Sequence, residues 1–139
     1  MIGILIVTHM DLGGALIDAL EFITGRRPEN MEAVSIDLHE DADKLRNKIA
    51  GGIKQVDQHQ GVLILTDMFG GSPSNLSYSF LEEGRIEVLS GVNLPIVMKA
   101  EDKRKTMPLE ELAPMLEKFG KRSISLASGI LQGNKRTTC

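Results

Sequence analysis

Only one cysteine stands in the 139 residues, and it is the last, Cys139. No internal disulfide and no cysteine metal cluster can form, and a reducing cytoplasm is the expected setting. No apolar run approaches the ~20 residues that span a bilayer, so membrane insertion is not expected. The opening, Met1-Ile2-Gly3-Ile4, lacks the basic region that starts a secretory signal. An excess of positive charge is also missing. Sixteen Lys and Arg stand against 19 Asp and Glu, a formal net charge of −3. That balance argues against nonspecific nucleic-acid binding, which needs a basic face. His9, His39 and His59 are scattered, with no HExxH or Cys/His spacing. No metal site is therefore expected. Without a GxGxxG or Walker sequence, no nucleotide cofactor is expected either.

What is present is an ordinary globular composition, 42% apolar and 25% charged. The length fits one domain, read as residues 1–130 with a polar tail over 131–139. There is no internal repeat, low-complexity tract or linker before residue 130.

Short apolar runs alternate with helical patterns. Ile4-Leu5-Ile6-Val7 is an unbroken apolar run, as in a strand buried on both faces. From Asp11, Leu12, Leu16, Ala19, Leu20 and Ile23 follow helical spacing, and Gly25 provides the stop. Ala33 to Leu38 reads as a second strand and Asp41 to Val56 as a second helix. Val62 to Leu65 is another doubly buried run. Ser72-Pro73 predicts a helix start, with Ser72 as N-cap and Pro73 first in the helix. Arg85 to Ser90 is a fourth strand, and Pro95 opens a short helix. Leu109, Leu112, Leu116 and Phe119 form a last amphipathic stripe, with a kink expected at Pro114. Ser123 to Ala127 is a candidate fifth strand. Lys103-Arg104-Lys105 is a candidate docking patch, but it reads more readily as a solvated helix end, its cations near the C-terminal dipole.

This alternation predicts an α/β fold: an open, mainly parallel sheet with helices on both faces. If successive helices cross to opposite sides, the first and third strands are neighbours. Their carboxyl ends then form the topological switch point where ligands bind. Thr8-His9-Met10-Asp11 follows the first strand, and Thr66-Asp67-Met68-Phe69-Gly70-Gly71-Ser72-Pro73 follows the third. One loop supplies an imidazole and the other a carboxylate. An Asp on one ring nitrogen fixes the tautomer and leaves the other nitrogen free to attack. A phosphoryl group taken up there makes the ring cationic, and the carboxylate steadies it. The amides around Gly70, Gly71 and Ser72 suit phosphoryl oxygens, and Ser72 adds a hydroxyl. Taken singly, such a His is more often structural, and such an Asp or Gly more often forms a turn. Met68 and Phe69 either tuck onto the helices or form a rim that docks a protein donor. His39 and His59 lie in polar connectors and are given no role.

These segments resemble a known family. Ile4 to His9, ILIVTH, followed by an amphipathic helix, looks like the opening of the IIA domain of mannose-type bacterial sugar phosphotransferase systems. Gly61 to Asn75 is similar to that family's GVL…D…GGSP.N segment, and Ser90 to Pro95 resembles its GVN-[LI]-P turn. The resemblance implies that His9 takes a phosphoryl group from the carrier HPr and passes it to a IIB domain for sugar uptake. Asp67 would be its partner, and Ser72 with the adjacent glycine amides would hold the phosphoryl group. It also implies a homodimer with an exchanged strand, assigned to Ser123 to Ala127, and docking to a membrane permease complex. No cofactor is implied, because the donor N–P bond is already high in energy.

Other readings differ in class. A free-standing domain of this family could equally serve as a regulatory phosphoprotein with no permease attached. The related phosphocarrier domain of dihydroxyacetone kinases, with the same fold and a similar His, is a further alternative. A receiver domain phosphorylated on Asp67 would need an acidic pair after the first strand, where Thr8 and His9 stand, and a Lys after the fifth. A hydrolase built on Ser72, His9 and Asp67 fails the G-x-S-x-G elbow, because residue 74 is Ser.

Overall fold

The computed structural model describes residues 1–132. The elements run β1 (Gly3–His9), α1 (Leu12–Thr24), β2 (Met31–Ile36), α2 (Ala42–Val56), β3 (Val62–Thr66) and α3 (Ser72–Tyr78). They continue with β4 (Ile86–Ser90), α4 (Leu94–Lys103), α5 (Leu109–Arg122) and α6 (Ala127–Leu131). The strands form one parallel sheet in the order β2-β1-β3-β4.

The two unbroken apolar runs become the two central strands. Ile4 to Val7 and Val62 to Leu65 are all fully buried. Successive side chains of a strand point to opposite faces, so each run must satisfy two layers. Ile4, Ile6, Leu63 and Leu65 pack with residues of α1, α4 and α5, among them Ile17, Val97 and Leu112. Leu5, Val7, Val62 and Ile64 pack on the other face with α2 residues Leu45, Ile49, Ile53 and Val56. Each such side chain removed from water contributes roughly 2 kcal/mol. The open α/β sheet with helices on both faces is as the sequence predicts.

Chain caps agree with local chemistry. Gly25 ends α1 in the left-handed conformation, φ 82°, and its N–H reaches Glu21 O. Asp41 caps α2 by accepting from the Lys44 N–H at 2.8 Å. Asn93 caps α4 by accepting from the Ile96 N–H at 2.9 Å. Helix α4 runs over ten residues with Pro95 in its first turn.

Four expectations change. Strand β2 begins and ends two residues earlier than read. Ser72 is not the N-cap of α3: Gly71 occupies that position and Ser72 begins the helix. The Ser123–Ala127 segment is not a strand of this sheet, which has four strands among the described residues. Ser123 caps α5 and Ala127 starts α6. Ile124 and Leu126 between them are exposed, and Ile124 borders a groove with Val88, Leu89 and Ser90 of β4 without pairing to that strand. Finally, Lys103-Arg104-Lys105 is not wholly solvated. Arg104 is 1% exposed. Its guanidinium donates to the carbonyls of Ile2, Glu29 and Asn30, and it pairs with Glu101. One cation thus ties the end of α4 to the starts of β1 and β2. Helix α5 passes without interruption through Pro114, which is exposed. Of the polar tail, residues 133–139, with Cys139, lie outside the described residues.

Candidate active site at the carboxyl edge of the central strands

In the β1–β3 register Val7 stands opposite Thr66. The chain continuations of both strands therefore emerge side by side. The route from β1 through α1 leads to β2 on one flank, and α2 then returns the chain to β3 on the other. That reversal makes the β1/β3 pair the switch point of the sheet.

His9 is the last residue of β1, and Asp67 follows the end of β3. Their side chains meet. Asp67 Oδ2 lies 2.8 Å from His9 Nδ1 and accepts the His9 backbone N–H at 2.9 Å. The other carboxylate oxygen accepts the Met68 N–H at 3.0 Å. Burial pushes the Asp67 carboxyl up, but the His9 backbone N–H, the His9 ring and the Met68 N–H outweigh it. The group is held below the ordinary carboxylate range. The carboxylate is the more enclosed partner, with 11% of its side chain exposed against 34% for His9. An anionic acceptor on Nδ1 makes that nitrogen the N–H of the neutral ring. Among the described residues, Nε2 has no hydrogen-bond partner.

The chain turns sharply on either side of this pair. Met10 adopts φ 51°, a left-handed conformation that costs a non-glycine residue free energy and gathers at functional sites. Buried Thr8 braces the turn: its hydroxyl accepts the Gly13 N–H at 2.9 Å and donates to Met10 O at 3.3 Å. This positions the start of α1 without help from Asp11, whose side chain makes no cap bond.

Gly70 turns the other loop at φ 84°. A Cβ placed on Gly71 would meet His9 Cε1 at 3.0 Å and Met68 Cγ at 3.2 Å, with Nε2 at 3.6 Å. Gly71 backbone thus borders the free edge of the imidazole. Of the amides expected to face a phosphoryl group, that of Gly70 already donates to Ser74 Oγ at 3.1 Å. The amides of Gly71 and Ser72 have no acceptor among the described residues. Met68 is 53% and Phe69 78% exposed, so neither tucks into the core. Phe69 leans on Tyr78, ring centroids 6.2 Å apart and planes at 48°. The Tyr78 hydroxyl is 3.4 Å from Ser90 Oγ, and Ser90 Oγ accepts from the Thr66 hydroxyl at 2.8 Å.

His39 and His59 stay apart from this cluster. Each sits in a local turn, its N–H donated to Asp37 and Asp57 respectively. His59 precedes β3 and so stands at the opposite edge of the sheet. Sequence reasoning missed Thr8 and Ser74. The only signal available for either was a hydroxyl within hydrogen-bond reach of a predicted helix start.

Comparison with known proteins shows the family. A family model described as PTS system fructose IIA component matches residues 3–117. The fructose-specific EIIA component of a phosphotransferase system from Bacillus subtilis strain 168 is 32% identical over 133 residues, covering 95% of this chain and 90% of that protein. The mannose-specific EIIAB component of Escherichia coli K12 is 30% identical over 125 residues, which are 88% of this chain. This chain spans only 38% of that protein's length. The crystal structure of a phosphotransferase system EIIA from Streptococcus agalactiae superposes with a TM-score of 0.81 at 26% identity, covering 92% of this chain and 98% of that one. A match that takes in β1 through most of α5, and with them both loops of the site, makes the chain a member of the mannose/fructose-type IIA family of sugar phosphotransferase systems.

Proposed function

We propose that this chain is a protein-histidine phosphotransferase that accepts a phosphoryl group from phospho-HPr on His9 and passes it to a IIB protein. The observation that carries the reading is the division of labour on the His9 ring. Nδ1 is engaged by Asp67, while Nε2 is without a partner and bordered by Gly71 backbone.

The chemistry follows from that division. Asp67 keeps the proton on Nδ1, so the lone pair stands on Nε2. A bond forms between Nε2 and phosphorus as the donor N–P bond breaks, and the electron pair of the broken bond stays on the donor nitrogen. The new phosphoimidazole carries positive charge in the ring, which the adjacent carboxylate stabilises. The amides of Gly71 and Ser72 and the Ser72 hydroxyl are the donors we assign to the phosphoryl oxygens. Gly70 shapes the turn instead. Transfer to the acceptor is the same step in reverse direction, and the reaction draws its driving force from the donor bond.

Exposed Met68 and Phe69 form the rim on which partner proteins dock. The outer edge of β4 is unpaired, and Ile124 and Leu126 are exposed apolar residues just beyond α5. These two features support a homodimer in which the 123–127 segment of one copy adds to the sheet of the other. No helix among the described residues is long and apolar enough to cross a membrane. We assign the protein to the cytoplasmic side of sugar uptake, docking to a permease complex through its IIB partner. The receiver-type alternative is disfavoured because both Asp67 oxygens are already occupied by His9 and Met68.

The test is incorporation of labelled phosphate from enzyme I, phosphoenolpyruvate and HPr into wild type and His9→Ala. Label should enter wild type only, in an acid-labile, alkali-stable form. Label in the folded His9→Ala protein would overturn the assignment.

A further inference from the structure

The turn beside the imidazole is not held by its own residues. Gly70 and Gly71 have no side chains, and a two-glycine turn is the most freely moving backbone available. It is held from the first turn of α3. Ser74 is completely buried. Its hydroxyl accepts the Gly70 N–H at 3.1 Å and donates to Gly71 O at 2.9 Å. Gly71 O receives a second bond from the Asn75 N–H at 3.0 Å. Asn75 Nδ2 reaches Gly70 O at 3.4 Å. The arrangement is a variant of the capping box, in which a third-position side chain reaches back to an amide ahead of the helix. Here the amide is one residue earlier, so the hydroxyl closes on both glycines.

We propose that Ser74 is a positioning residue for phosphoryl transfer. By clamping Gly70 and Gly71 it keeps the Gly71 backbone against the Cε1–Nε2 edge of His9. It thereby sets the space and the amide donors that an incoming phosphoryl group meets. The inference rests on the proposed use of His9 Nε2.

The clamp acts on the reacting geometry, not on the exposed rim where a donor protein would sit. Losing it lets the glycine turn wander, and a displacement of about 1 Å at a reacting centre costs up to about a hundredfold in rate. Ser77 provides the control. It is also completely buried in α3, but its hydroxyl bonds only Pro73 O, at 2.6 Å, and does not touch the turn.

The experiment measures phosphorylation of the full chain by phospho-HPr at varied HPr concentration, in wild type, Ser74→Ala, Ser74→Cys and Ser77→Ala. Phosphorus NMR of each phosphorylated protein is recorded alongside. Ser74→Ala should lower kcat by about tenfold or more with KM for phospho-HPr unchanged. Its phosphohistidine resonance should move and broaden. Ser77→Ala should match wild type in both. Ser74→Cys, which keeps the volume but weakens both bonds, should fall between and serves if the alanine variant does not fold. Wild-type kcat in a folded Ser74 variant overturns the inference, as does an equal loss in Ser77→Ala or a change confined to KM. Phosphate on a residue other than His9 in wild type would instead overturn the reading beneath it.

Discussion

One oxygen of Asp67 holds His9 twice: Oδ2 accepts the His9 backbone N–H at 2.9 Å and stands 2.8 Å from Nδ1 of the same residue. The backbone bond fixes where the residue is, and the ring contact fixes how the imidazole is turned. A single carboxylate therefore sets position, orientation and tautomer together. It can do so because parallel pairing of β1 and β3 delivers both chain ends to one edge.

Replacing Asp67 by Asn should leave the fold intact and slow phosphoryl transfer by about a hundredfold or more. An amide at this position can donate to Nδ1 as well as accept from it, so the tautomer is no longer fixed. Single-turnover transfer from phospho-HPr measures the effect, and an unchanged rate would make Asp67 purely structural.

The same substitution has a pH signature. The Asp67 carboxyl lies below its ordinary value in the folded chain. Its contribution to stability is thus fully present above the unfolded carboxylate value, about 4, and is lost as pH falls through the lower folded value. Wild type should exceed Asp67→Asn by about 1–2 kcal/mol near neutral pH, and the gap should close in stronger acid. Urea unfolding at the two extremes tests this. A gap that widened in acid would have the wrong sign.

Gly71→Ala should damage the site more than the fold. The added Cβ meets His9 Cε1 at 3.0 Å and Met68 Cγ at 3.2 Å. Gly71 has φ −85°, which alanine adopts without strain, so the cost is local crowding. Transfer should fall by about tenfold or more, with stability changed by about 1 kcal/mol or less. Parallel kinetics and thermal melting separate the two effects. Equal activity would show that the ring edge does not need this space.

Arg104→Met should do the reverse, lowering stability without touching the site. It removes the donor shared by three backbone carbonyls and leaves Glu101 without its buried partner. The expected loss is about 3 kcal/mol, a fall in Tm of about 10 °C. Where the variant is folded, its transfer rate should equal wild type. Unchanged Tm would mean that Arg104 does not carry the junction of α4 with β1 and β2.

The architecture was legible because it rests on local pattern. Ile4 to Val7 and Val62 to Leu65 read as strands covered on both faces, and the stripe Leu45, Ile49, Ile53 and Val56 reads as one side of a helix. His9 and Asp67 were legible as a pair because α/β topology places the loops after the first and third strands together. Features set by a distant partner were not legible. Arg104 lies between two lysines and reads as surface, yet the starts of β1 and β2 surround it. Ile124 and Leu126 alternate like a strand, but the segment does not pair with the sheet and the chain turns into α6 at Ala127. Ser74 looks like an ordinary residue of an early helical turn. Its two bonds to the glycines appear only when the turn folds back over it.

The central claim is that phosphate resides on Nε2 of His9. Mass-spectrometric mapping of the wild-type chain after incubation with enzyme I, phosphoenolpyruvate and HPr, kept at alkaline pH and joined to phosphorus NMR of the same sample, tests it most directly. A single phosphate on the peptide carrying His9, with the resonance of an Nε2-phosphorylated imidazole, is the predicted result. Phosphate on Asp67, on His39 or His59, or on Nδ1 of His9 would contradict the account.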